Sequence, residues 1–508
     1  MSRAHLLLLA LVGIVAAGCV TPATNVDPES VTGTIPAGWW ENAIPSSLTD
    51  EKHDHAKRAD HAGITTSNFE VLGWDPLTTE AYGTTLTGMG CGGAITREDG
   101  MRLAIVHSIS TDVSFVVADI TDPTAPKMMG EFYMPNAVIW DADISADGQH
   151  VLVGAYPYAI FGGPVPVLPG QAAASTPQVP GLSIQFRSAC TGKVSEVGPI
   201  NYLPFGPGIV MIGVQDPSNP TFEDWISQPA VGPHSVGSQL IDGKVYATSS
   251  VTNLVHSASY YTIFEIVGSK LVPYTVIRTP GTPPPTELNG HTDVFLAKHP
   301  VTGQLLAYLA NWDGMYIYDI STPVPQELSS WYDAGNLHTT YPFPTTIGDK
   351  VYMLAGQEVG EPTDLPSGWV YILDITDPTI PTEVGRWTIP VKPKWDDGGL
   401  QFSPHYVAIL NQTMFVANYH GGMWAVDISD LAHPQAIGIF VPERESPTNF
   451  DGAESYGPSI EDVVVDEATG LLTTWDNSGG VYTMRFHDEM ASVKAPAWPG
   501  SEPGAKSS

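Results

Sequence analysis

The 508-residue chain carries 21 Lys and Arg against 54 Asp and Glu, a formal net charge of −33, yet only 15% of its residues are charged, where an average soluble domain has about 25%. Bases are scarce rather than acids abundant, which argues against nucleic acid and against electrostatic adhesion to anionic lipid. With 43% hydrophobic residues, 50 Gly and 45 Pro, the chain can bury a large core and is rich in turn formers, so all-β architecture is expected ahead of disorder or long helical bundles.

In chain order, residues 1–18 begin with Arg3 and His5, run through an apolar stretch over 6–17 and end Ala16-Ala17-Gly18 before Cys19. This is an export-signal pattern, too short to span a bilayer. Small residues ahead of a cysteine resemble a lipobox, in which Cys19 becomes the acylated first residue, although Ala16 stands where leucine is commoner. Ordinary secretory cleavage is the alternative. An acylated Cys19 would hold the protein on the outer side of a membrane of the cell envelope, each buried CH₂ contributing about 0.8 kcal/mol. Residues 19–66, rich in Pro, Thr, Ser and Asp and then charged, read as anchor and linker.

Residues 69–74, FEVLGW, resemble the outer strand TEVGRW (382–387) of a unit that recurs at least five times. The unit is an apolar strand ending Asp-Ile-Ser/Thr or a variant of it, a Pro-containing turn and a second short strand. Its copies are VVADITDPTAPKMMGEF (116–132), VMIGVQDPSNPTFEDWI (210–226), MYIYDISTPVPQELSSW (315–331), VYILDITDPTIPTEVGRW (370–387) and MWAVDISDLAHPQAIGIF (423–440). β-Branched and aromatic residues make the strands, Asp can bond its own backbone in the turn, and Pro fixes φ near about −65°. A hairpin alone cannot bury its faces, so the copies must stack. A second strand pair ahead of most copies, such as 405–410 with 414–417, raises the unit to four strands, one propeller blade.

Inner pairs starting near Cys91, Asp141, His234, His291, His338, His405 and Glu461 count seven blades. An insertion over roughly 157–207 interrupts blade two, YYTIFEIVGSKLVPYTVI (260–277) is the divergent outer hairpin of blade three, and the last unit stops after its third strand at 481–486. The N-terminal strand at 69–74 would supply the missing outer strand. The expected fold is therefore an all-β, seven-bladed β-propeller over 69–486, closed by an N-terminal strand and followed by a flexible tail, 487–508. These repeats resemble the LVIVD-repeat family of bacterial and archaeal surface proteins, named for the strand represented here by Tyr371-Ile372-Leu373-Asp374. The resemblance implies a propeller at the cell surface and no particular activity.

In a blade the first strand lines the axial channel, and the loop entering it shares a face with the loop between the second and third strands. Four successive blades begin with His234, His291, His338 and His405. Converging imidazoles would suit Fe, Cu, Ni or Zn; the other reading makes each a repeat residue bonded to a neighbouring blade's carbonyl. Carotenoid-cleaving oxygenases and selenium-binding proteins are similar in placing histidines on a propeller axis, but their sequence motifs are not evident here. The remaining blade starts offer Cys91, Asp141 or Asp143, and Glu461 or Asp462. Loops of the same face carry Asp313, Glu358, His420 and Asp476, with Trp312, Tyr419 and Trp475 as a floor for a ligand, although Asp and Gly also satisfy turn geometry.

Cys190 lies in the insertion, on the same face as Cys91. In an oxidising compartment the two are expected to form a disulfide that fastens the insertion as a partial lid; a thiolate metal ligand at Cys91 or two unpaired thiols are the alternatives. There is no P-loop, HExxH or EF-hand spacing, no Rossmann glycine fingerprint following a strand, and no GxSxG in plausible context. The expected protein binds a protein, glycan or small ligand at its channel mouth and meets a membrane only through its lipid anchor. The alternative is an oxidoreductase-like metalloenzyme built on the four histidines.

Overall fold

The computed structural model describes residues 64–66, 68–77, 89–108, 113–133, 137–157, 184–187, 194–197, 208–228, 233–253, 258–279, 293–311, 313–358, 368–389, 402–442, 459–476 and 480–487. Every regular element among them is a β-strand, and apart from one small hairpin the strands form seven antiparallel sheets of four, one of them extended by a fifth. The first strands of the seven sheets are Met89–Thr96, Ala137–Ile144, Ser235–Ile241, Asp293–Lys298, Leu337–Pro342, Val407–Leu410 and Ile460–Asp466. Each touches the first strand of the next sheet, and Ile460–Asp466 returns to Met89–Thr96, so the sheets close as blades round one axis. The chain is a seven-bladed β-propeller.

Sheets packed on sheets bury both faces of the middle strands, which is why Leu305–Asn311 and Tyr352–Gln357 are buried along their whole length and read as near-continuous apolar runs. Outer strands such as Thr382–Trp387 face solvent over half their residues.

The repeat's turn chemistry is visible in bonds. Asp119, Asp319, Asp374 and Asp427 each accept, through Oδ1, the backbone N–H two residues on at 2.8–2.9 Å. Asp122, Asp216, Asp377 and Asp430 repeat the bond at 2.9–3.1 Å. These acids belong to the turns, and the turns lock neighbouring blades. A Cβ on outer-strand Gly130 would stand 2.3 Å from the Pro217 carbonyl oxygen of the next blade's turn, and one on Gly385 would stand 2.1 Å from that of Leu431. Where the outer strand offers a hydroxyl instead, Ser329 donates to Pro378 O at 2.7 Å and Thr275 to Pro323 O at 2.8 Å.

Closure is by the N-terminal strand. Phe69–Asp75 pairs antiparallel with Gly480–Phe486 as the outer strand of blade seven. Phe69 carries the joint, its ring 4.9 Å from Phe486, 6.3 Å from Phe415 and 6.4 Å from Phe440, in the core shared by blades six and seven. Just before it, Ile64–Thr65 adds a fifth strand to blade six by pairing with Val441 and Phe440, so the propeller begins inside the stretch expected to be linker. The insertion separates His150–Pro157 from Gly208–Gly213, which nevertheless pair along their length; its described part is a hairpin of Ile184–Arg187 with Val194–Val197. The export signal, Cys19, the linker through residue 63, Cys190, His291, Trp312 and residues 488–508 lie outside the described residues. Among the described residues no helix is long and apolar enough to cross a membrane.

Candidate metal centre

The blades deliver their axial side chains through irregular pairing. The register of first and second strands breaks between Met89 and Gly92, Ile139 and Asp141, Leu337 and Thr339, and Ile460 and Val463. The residues left out of the ladder are Gly90 and Cys91, Trp140, His338, and Glu461 and Asp462. A bulge re-aims its side chain, and here it brings Cys91, His338 and Glu461 to the mouth of the channel. His234 and His405 precede their strands and extend the ladder by single bonds, His234 N to Ser250 O at 2.7 Å and His405 N to Ala417 O at 2.9 Å.

Three of the four expected histidines are thus described, and all three are buried. They form a row. The His338 and His405 ring centroids are 4.0 Å apart, His234 lies 5.9 Å from His338, and Trp140 flanks His234 at 5.9 Å. Ligand atoms of His338, Glu358 and His405 lie within 4.8 Å of one another, and so do those of Cys91, His405 and Glu461. His405 is common to both sets. Its Nδ1 sits 2.8 Å from the Glu461 carbonyl oxygen, a bond that places the proton on Nδ1 and would route coordination through Nε2.

Glu358 is positioned just as firmly. One carboxylate oxygen lies 4.0 Å from His338 Nε2, and the other accepts the Tyr419 hydroxyl at 2.5 Å. Tyr419 holds φ at 48°, an uncommon conformation for a bulky residue, maintained by two backbone bonds with Ile460 at 2.7 and 2.9 Å. Burial, then the Glu358 and Glu461 charges, push the Tyr419 phenol well up, so it remains a donor. Burial likewise pushes the Cys91 thiol well up, with Asp141, Glu461, Asp462 and Glu358 adding to the rise; the group is a neutral thiol.

On the other side of Tyr406 lies an axial cavity of about 220 Å³ lined from all seven blades, with Asp141, Asp143, Asp293 and Asp462 among its walls. The Tyr406 ring is 5.1 Å from that of His338 and 4.9 Å from that of His405, so this residue borders both the cavity and the histidines. Each carboxyl accepts backbone N–H: Asp141 from Val236 at 2.8 Å, Asp143 from Ile144 at 2.8 Å and Ser238 at 3.1 Å, Asp293 from Val294 at 2.7 Å, and Asp462 from Val463 at 2.7 Å. Burial still pushes all four up, Asp143 and Asp293 to about 7.

The remaining expected residues join neither ligand set. Asp313 accepts the Tyr316 hydroxyl at 2.8 Å, and Asp476 accepts the Ser459 N–H at 2.6 Å. His420 is buried beside Tyr419. Trp475 is fully buried in the core with Leu77 and Val106, where its indole N–H donates to the Gly90 carbonyl; it braces the Cys91 bulge from behind and offers no open ring to a ligand. Cys91 is a buried free thiol, and the bridge to Cys190 lies outside the described residues.

A family model of the LVIVD repeat matches residues 110–133 and 406–441. The chain carries LVIVD repeats. No curated protein matches it. The first matched stretch spans the third and fourth strands of blade one, and the second begins at Tyr406 and ends with the outer strand of blade six. The matched stretches therefore lie in blades one and six, while Cys91, His338, Glu358, His405 and Glu461 lie outside them.

One such position is invisible to the repeat. His107, near the end of Arg102–Ser108 in blade one, is fully buried; its Nδ1 lies 2.5 Å from the Cys91 carbonyl oxygen, and its Nε2 has no hydrogen-bond partner among the described residues. Burial lowers its pKa to about 4, leaving a neutral imidazole. The available signal was a lone histidine closing an apolar run, Leu103–Val106 in composition, on a second strand rather than a first.

Proposed function

We propose that this LVIVD-repeat propeller is an exported, lipid-anchored binding protein that holds a transition-metal ion at its channel mouth between His338, Glu358 and His405. One observation carries the reading: three buried side chains from adjacent blades five and six bring their ligand atoms within 4.8 Å of one another. Two imidazoles and a carboxylate suit Zn²⁺, Fe²⁺, Ni²⁺ or Cu²⁺ and leave a coordination position for a small ligand or a partner's donor group. The Tyr419 bond to Glu358 and the carbonyl bond to His405 Nδ1 supply the orienting contacts that such ligands need. Binding is the role proposed, ahead of oxidoreductase-like turnover.

The test is metal analysis of the full-length protein purified without a histidine tag, stripped with chelator and dialysed against Zn²⁺. About one ion per chain is expected at this position, with affinity falling at least about tenfold in His338→Ala and in Glu358→Gln. Unchanged affinity and stoichiometry in both folded variants overturns the assignment. Export and anchoring through Cys19 are tested separately by the intact mass of the mature protein, which must carry a diacylglyceryl cysteine at its N-terminus.

A further inference from the structure

The second ligand set shares His405 with the first but differs in chemistry, because it contains sulfur. Cys91 and Glu461 both leave their ladders at bulges and meet beside His405, their ligand atoms within 4.8 Å of one another and of that ring. His107 stands against the same place. Its Nδ1 is tied to the Cys91 carbonyl oxygen, which puts the proton on that nitrogen and leaves the Nε2 lone pair as the acceptor. That atom is fully buried and has no hydrogen-bond partner among the described residues. Gly90 makes the space: a Cβ there would stand 2.5 Å from His107 Nε2 and 3.2 Å from a Glu461 carboxylate oxygen. A buried imidazole nitrogen and a carboxylate facing a gap that glycine leaves open, beside a thiol and a second imidazole that share that carboxylate, is a donor arrangement for a cation.

We infer that Cys91, His405 and Glu461, with His107 at their edge, form a thiolate-bearing metal position that takes a borderline or soft ion such as Zn²⁺, Co²⁺ or Cu⁺. The inference rests on reading the mouth as a metal centre and adds the class of metal. Sulfur with imidazole selects against Mg²⁺ and Ca²⁺, which require oxygen. His107 Nδ1–H to the backbone carbonyl is the orienting bond that a metal-bound histidine ordinarily makes through its second nitrogen. On loading, the Cys91 thiol gives up one proton to solvent and the sulfur–metal bond replaces the S–H bond.

Cobalt distinguishes the two positions. Chelator-stripped full-length protein is titrated with Co²⁺ and followed by absorbance, because a thiolate bound to Co²⁺ adds a near-ultraviolet charge-transfer band that nitrogen and oxygen ligands do not. The band is expected to rise with bound cobalt, to vanish in Cys91→Ser, to persist in His338→Ala, and to require at least about tenfold more Co²⁺ in His107→Gln. Cobalt that binds with visible bands but without the charge-transfer band in the wild-type protein overturns this inference while leaving the His338–Glu358–His405 reading intact. A charge-transfer band with total cobalt unchanged in both His338→Ala and Glu358→Gln does the opposite. No bound cobalt overturns both, and a denatured-state thiol count showing Cys91 bridged to Cys190 overturns this one. Because the wild-type spectrum alone decides the presence of sulfur, the test survives a variant that fails to fold.

Discussion

Replacing Asp293 by asparagine should make the protein more stable at pH 8 and hardly change it near pH 4. The Asp293 carboxyl is buried in the axial cavity and pushed from its ordinary value to about 7 by that burial. Between about pH 4 and pH 7 the folded chain therefore keeps a proton that the unfolded chain has released, so stability falls as pH rises through that window and the full penalty stands above it. Ionising a carboxyl displaced that far costs up to about 4 kcal/mol, taking about 1.4 kcal/mol per pH unit. Asparagine keeps an oxygen to accept the Val294 N–H, now bonded at 2.7 Å, and cannot ionise. The charge it removes also bears on Asp141, Asp143 and Asp462, each of which the Asp293 charge pushes further up. The expected gain at pH 8 is about 1–4 kcal/mol, the lower end allowing for water that relaxes the penalty. Urea unfolding at pH 4.5 and pH 8, with chelator present and the denaturant slope compared, reads it directly. A variant no more stable than wild type at pH 8, or one whose gain is the same at both pH values, refutes the reasoning.

Three further outcomes follow from packing. Gly385→Ala drives a Cβ into the Leu431 carbonyl of the next blade and should cost about 1–3 kcal/mol in urea unfolding; a neutral result would mean that the turns do not lock the blades. Phe69→Ala empties the joint between blades six and seven and should cost about 3–5 kcal/mol, with faster amide exchange along Gly480–Phe486 as the local signature. Trp475→Phe keeps most of the bulk but loses the indole bond to the Gly90 carbonyl, so it should cost about 1–2 kcal/mol and weaken the cobalt charge-transfer titration by loosening the Cys91 bulge.

Much of the fold was legible because a repeat states the same physics several times. The Asp-Pro turns named the blade, apolar runs such as Val210–Gly213 marked buried middle strands, and the stretch at Phe69 resembled an outer strand lacking a partner. Ile64–Thr65 was not legible: two residues carry no period, and their pairing with Val441 and Phe440 depends on where the ring happens to bring the chain. The site was legible at the level of strand position. His338, His405, Glu358, Cys91 and Glu461 could be placed at the mouth from blade counting alone. The register breaks that group them, and His107 and Tyr406 that complete the surroundings, depend on local backbone irregularity and on contacts between blades, which spacing within one blade does not encode. Trp475 shows the reverse error: a tryptophan at a loop edge reads as a floor for a ligand, yet the hydrogen bond to Gly90 and the core of blades one and seven take it in.

The division between a regular exterior and an irregular interior explains how one chain supports both fold and site. Outside, every blade repeats a bulge in its outer strand pair, as between Ile317 and Tyr318 or Ile372 and Leu373, and outer strands such as those of Gly130, Ser329 and Gly385 take the next blade's turn against them. Those bonds are redundant, so no single blade start has to hold the ring closed. Inside, four of seven blades break register at the first strand pair, and each break releases a different side chain toward the axis: a thiol, an indole, an imidazole and a carboxylate. A strictly repeated interior would present seven copies of one residue in a wide circle, too far apart for a single ion and too alike to choose among ions. The four-histidine pattern approximates that uniform interior, and the row of His234, His338 and His405 falls short of it because neighbouring blades lean on Glu358, Tyr419 and Glu461 instead. Departure from the repeat is what makes the ligand sets mixed, and a mixed set is what gives a metal position selectivity.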